Sequence, residues 1–182
     1  MAHEFTTSYV AEALAVFRQY KGLAEAAMGQ IGDEQLFESL DLESNSIAII
    51  VKHVAGNLRS RWTNFLATDG EKADRNRDGE FMDPAATRES LMADWEDGWS
   101  RLFAALEPLK EEDLRRTVTI RGERHSVMQA INRAGAHTAN HVGQIVLLAK
   151  HFAGSEWRAI TIPRGKSQEF SGRVAAGELS QR

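Results

Sequence analysis

The stretch from Ser126 to Gly154 constrains the fold most. Val127, Ala130, Ala134, His137, His141, Ile145 and Leu148 recur at spacings of three and four, so they share one face of a long helix. Ser126, with Gln129 three residues on, is a capping-box start, and Gly154 is a stop. Three more segments repeat the pattern. A first helix is predicted over 6–28, with Tyr9, Ala13, Val16, Tyr20, Leu23 and Ala27 as its apolar stripe. A second is predicted over 47–66, introduced by the N-cap candidates Ser44, Asn45 and Ser46, with Ile47, Ile50, Val54, Leu58 and Phe65 inward. A third starts at Asp83-Pro84 or at Thr87, carries Leu91, Trp95, Trp99, Leu102 and Leu106, and ends by Pro108.

The connections are less regular. Residues 33–43 read as a loop with one short turn, and 68–83 as a long polar connection. Thr117 to Ile120 and Arg124 to Val127, around Arg121-Gly122-Glu123, predict a tiny β-hairpin. Trp157 to Phe170 reads as extended chain. The expected class is therefore all-α, a four-helix bundle, with residues 1–170 as one domain and 171–182 as a poorly ordered tail.

Composition narrows the function. A chain of 182 residues, 42% hydrophobic and 26% charged, suits one globular domain. A net charge of -4 and a pI near 5.9 argue against a general nucleic-acid or membrane binder. With no cysteine there is no disulfide scaffold, thiolate metal site or thiol nucleophile, which fits a cytoplasmic protein. The first residues do not resemble a signal peptide, and the apolar run Ile47 to Val51 is far short of a membrane span.

The chemistry rests on histidine. His137 and His141 lie one turn apart on the inner face of the last helix, where two imidazoles can share one cation. His53, three residues after Ile50 on the second helix, can face them and complete a three-nitrogen site with open positions. The competing reading of each is a hydrogen-bonded core histidine. An all-imidazole set suits zinc, nickel, copper or ferrous iron better than magnesium or calcium. Asn57 and Gln144, each one turn from a candidate ligand, can orient ligands or substrate, or simply be satisfied polar residues at helix edges. Asp94 and Glu96 on the third helix are the acid–base residues within reach. His125 reads as solvent-facing or capping, His151 as a helix-end cation, and His3 is terminal.

Two motif echoes fail. Asp74-Arg75-Asn76-Arg77-Asp78-Gly79 begins like a calcium loop, but Ala85 stands where the twelfth-position glutamate belongs. Gly165-Lys166-Ser167 lacks the glycine of a phosphate-binding loop, since Ile160 stands there. No Gly-x-Ser-x-Gly elbow is present either.

Several segments together resemble the DinB/YfiT-like superfamily, in a branch described only as a domain of unknown function. They are Ile49 to Asn57, Arg61 to Leu66, Asp69 to Lys72, Thr119 to Glu123, His137 to Ile145 and Ile162 to Ser167. The likeness spans roughly 8–170. It implies a four-helix bundle holding a divalent metal on His53, His137 and His141, and a homodimer. Relatives include thiol-dependent S-transferases and a maleylpyruvate isomerase, which use low-molecular-weight thiols. Many have arginine after the last histidine, where this chain has Val142. The expected function is a metal-dependent enzyme, a thiol S-transferase or a hydrolase, acting on a small molecule. In the transferase version the metal holds a cosubstrate thiol as thiolate, and Arg164 and Lys166 meet its carboxylates if the tail folds back. The alternatives are a non-catalytic metal-binding or stress-response module, and a structural dimer with packing histidines.

Overall fold

In a computed structural model, described over residues 5–180, the chain is mostly helical with one two-stranded sheet. The elements run α1 (Tyr9–Met28), α2 (Asp33–Phe37), α3 (Ile47–Trp62), α4 (Arg88–Leu106), β1 (Thr117–Ile120), β2 (Glu123–Ser126), α5 (Val127–Ala153) and α6 (Ser167–Ala175). The four long helices pack in pairs, α3 along α4 and α1 along α5, and α3 also meets α5. No helix among the described residues is long and apolar enough to cross a membrane.

Local chemistry sets the boundaries. Ser8 Oγ accepts from the Ala11 amide, so α1 begins at Tyr9 rather than near Thr6. Ser46 caps α3 and Thr87 caps α4 in the same manner. The capping box of α5 forms in both directions: Gln129 N donates to Ser126 Oγ at 3.1 Å, and Ser126 N to Gln129 Oε1 at 2.8 Å. The second helix stops at Trp62, not Leu66, because Asn64 takes a left-handed backbone with φ 50°. Gly154, φ 53°, ends α5 as its position predicts. The hairpin turn is two residues, Arg121 and Gly122, with φ 58° and 76°. Glu123 therefore belongs to β2 and pairs with Ile120. Helix α6 covers the end of the segment read as extended chain, 157–170, and the start of the tail read as poorly ordered, 171–182, and it buries no residue.

The core follows the apolar stripes of α3, α4 and α5, with Trp95, Trp99, Leu58, Leu102 and Ile145 fully buried. In α1 the stripe is turned by about one residue. Val10, Leu14, Phe17, Ala24 and Met28 are buried with Ala27, whereas Tyr9, Ala13, Tyr20 and Leu23 are the half-buried flank. Helix α3 is the most enclosed, and Gly98 of α4 is what lets α4 approach it. A Cβ at Gly98 would stand 3.0 Å from the Ala55 carbonyl oxygen.

Candidate metal centre

His53 sits mid-way along α3 and is almost fully buried, while His137 and His141 are half-buried on the facing turn of α5. The ring centroids lie 4.6, 4.8 and 5.1 Å apart. One ring nitrogen from each residue falls within 4.8 Å of the others. The three histidines singled out by spacing are thus brought together within reach of one ion.

Each ring's surroundings decide which nitrogen is free. His53 Nδ1–H donates to Glu80 Oε2 at 2.9 Å, which leaves the Nε2 lone pair directed at the cluster. His53 Nε2 stands 3.1 Å from His137 Nε2. Two nitrogens on a tetrahedral ion, each at about 2.0–2.1 Å, stand about 3.3 Å apart, so this spacing suits a shared ion. His141 Nδ1 is 3.2 Å from Gln144 Oε1, again leaving Nε2 for the site. Burial first, and then the neighbouring imidazoles and arginines, push the His137 pKa down to about 3. Burial and His53 lower that of His141 as well, against the opposing bond to Gln144. Both rings are therefore neutral at physiological pH, the form that ligates a metal.

Behind His53 stands a chain of buried charges. Arg75 donates through Nε to Glu80 Oε1 and through Nη2 to Oε2, both at 2.8 Å, and through Nη1 to Glu71 Oε2 at 3.0 Å. Burial alone would raise the Glu80 pKa, but Arg75 and His53 overcome it and hold the carboxyl ionised. A histidine backed by a carboxylate is the common outer support of a metal ligand. Phe81 lies over the His53 ring, centroids 4.5 Å apart. Glu80 and Phe81 both come from a 3-10 turn, Asp78–Phe81, inside the polar connection.

A cavity of about 140 Å³ opens beside the trio, bordered by His53, His137, Asn57 and Arg61 among others. Of the other residues considered from sequence, Asn57 lines this cavity and Gln144 holds His141. Arg164 borders a separate groove between α1 and α5, and Lys166 pairs with Glu169 at 2.8 Å; neither borders the cavity. Asp94 and Glu96 are engaged by Arg59 and Lys21 on the surface, so neither serves the site as acid or base. His125 is mostly covered rather than solvent-facing, with Nε2 3.6 Å from Glu123 Oε2. His151 is exposed at the end of α5, and His3 lies outside the described residues.

Spacing missed Glu80, Arg75 and Arg61. The first two sit in irregular chain, where no period marks an inward residue. Gly56 did carry a signal. It sits inside a helix three residues after His53, and a Cβ there would collide with the Glu80 carboxylate. A glycine costing a helix about 1 kcal/mol marks the close approach of another group.

The chain belongs to the family described as a protein of unknown function (DUF1572), whose model matches residues 4–166. No curated protein and no solved structure matches it.

Proposed function

We propose that this chain is a metal-dependent enzyme of the DinB/YfiT-like four-helix-bundle kind, with zinc, nickel or iron held by His53, His137 and His141. The observation behind this reading is the convergence of three imidazole nitrogens within 4.8 Å, on two helices, beside an open cavity. When bound, such an ion makes hydroxide or thiolate available near neutral pH. The protein's own part is positional. Glu80 fixes the tautomer and tilt of His53, Gln144 does so for His141, and Phe81 shields the His53 ring from water. Asn57 offers an amide to whatever enters the cavity.

The centre is read as serving thiol S-transfer or hydrolysis. The described residues lining the cavity include no carboxylate to serve as a general base. A thiol or a water held by His53, His137 and His141 through the ion would need none, because it would give its proton to solvent and become the nucleophile itself. The same lack of a carboxylate favours, as a second reading, a metal-binding module without turnover.

Metal analysis of untagged protein tests the site. His137→Ala and His141→Ala each lose most bound metal, while His125→Ala keeps it; equal retention in all three would refute the centre. Screening low-molecular-weight thiols against electrophiles, with and without metal, then separates enzyme from module. Metal-dependent turnover is expected, and its absence across a broad panel would leave the module.

A further inference from the structure

The cavity beside the histidines contains a charge that the protein does not neutralise. Arg61 is 8% exposed, and its Nη1 is fully buried with no hydrogen-bond partner. No ion pair involves it among the described residues. Arg75 makes the contrast. It is equally enclosed, and it makes three bonds to the carboxylates of Glu71 and Glu80. A buried cation without an ion pair is costly, so an arginine retained in a cavity wall points to an anion supplied from outside.

The surroundings reinforce this. His53, Asn57 and Arg61 follow one another at spacings of four along a single face of α3, so the guanidinium sits two turns from the metal ligand in the same wall. Gly70 clears the way for the arginine, since a Cβ there would stand 2.9 Å from Arg61 Cδ. Arg77, Arg121 and Arg133 also border the cavity. Among the described residues, Arg121 is the one of these three with a carboxylate in ion-pair distance, Glu71 Oε2 at 3.4 Å, and that oxygen is already held by Arg75. Burial first, then neighbouring cations against the pull of Glu71, lower the Arg61 pKa to about 10, which leaves it charged at neutral pH. One buried arginine, Arg61, and three exposed ones, Arg77, Arg121 and Arg133, therefore border one space in a chain whose net charge is -4.

We infer that this cavity is an oxyanion pocket, and that the molecule the site takes is a small acid. Its carboxylate or phosphate group lies on Arg61 and Arg133 while another of its atoms reaches the three histidines. Guanidinium groups match the planar and tetrahedral oxyanion alike, with paired donors. A space of about 140 Å³ admits a fragment of several atoms. The second half of the inference rests on the metal reading given above, whereas the anion pocket does not.

The test is calorimetric titration of the full chain with inorganic phosphate and, separately, acetate, at fixed ionic strength. It uses metal-loaded and chelator-treated protein. Wild type is expected to bind one anion per chain in both states, and the tighter of the two probes identifies the head group. Removing one charge-assisted donor weakens binding about tenfold, as expected for Arg61→Met and Arg133→Ala. Arg124→Ala, on the exposed side of β2, is expected to leave it unchanged. Arg133 is exposed, so its variant decides the matter even if Arg61→Met does not fold. Absence of saturable binding, or equal binding by wild type and both variants, overturns the pocket. Binding confined to metal-loaded protein and indifferent to the arginines also overturns it, and leaves the metal centre standing. Arginine-dependent binding by a protein that takes up no metal sustains the pocket and removes the centre.

Discussion

Glu80 bears a charge at 6% exposure and shares it between Arg75 and His53. The pairing explains both partners. Without the carboxylate, Arg75 would keep only Glu71, and His53 Nδ1 would be a buried donor with no acceptor. The histidine trio was legible because a helix repeats. His137 and His141 had to share a face, and Ile50 placed His53 at the edge of another. Glu80 was not legible because its position depends on how a sixteen-residue polar connection folds back, and the acidic residues there look alike in sequence. Glu80→Gln keeps an acceptor for His53 but removes the charge that orients and polarises the ring. Metal affinity is expected to fall about 10–100-fold, the usual cost of losing such outer support. A metal titration of the folded variant checks this, and an unchanged affinity would mean that Glu80 serves only Arg75.

The hairpin and the polar connection form one unit, and Asp69 joins them. Its carboxylate accepts from the Glu71, Arg121 and Gly122 amides at 2.7, 2.8 and 2.7 Å. Gly70 N donates to Thr119 O, and Ser60 of α3 bonds both Gly70 O and Lys72 N. This clasp orders the chain that delivers Arg75, Glu80 and Arg121 to the site. Backbone bonds from Glu71 and Gly122, with the others, lower the Asp69 pKa from 3.8 to about 2. A carboxyl with a depressed folded pKa binds more protons when unfolded. Its stabilisation is therefore full above about pH 4 and is lost as pH falls toward 2. Asp69→Asn is expected to cost about 1–2 kcal/mol at neutral pH. The gap from wild type should close in acid denaturation curves below about pH 4; a pH-independent gap would show that charge plays no part. The sequence offered the strand pattern and the turn, but not the clasp, whose partners lie some fifty positions apart. The α1 stripe shows a different limit. Apolar residues occur there in adjacent pairs, Ala13-Leu14 and Val16-Phe17 among them, so spacing allows two faces and only packing chooses which of them turns inward.

At the scale of the whole molecule, the long helices and the site support one another. α3 and α5 meet at the three histidines, so an ion shared between them would brace two helices that otherwise pack chiefly on α4 and α1. The chain carries a net charge of -4, whereas four arginines border the cavity. On the anion-pocket reading, that cluster of positive charge is what attracts a small anion to the site. Because the unfolded chain has no preformed trio, binding energy of the ion becomes folding energy. With free metal at a hundred times its dissociation constant, the gain is about 2.7 kcal/mol, which for a chain of this size raises Tm by about 5–10 °C. Chelator-treated and metal-loaded protein should differ by that amount in calorimetry. The difference should shrink in strong acid, since protons then compete with the ion for the ring nitrogens of His137 and His141, whose pKa values burial holds low. His141→Ala should melt at one temperature in both conditions. If it retains the full shift, the ion braces some other part of the fold.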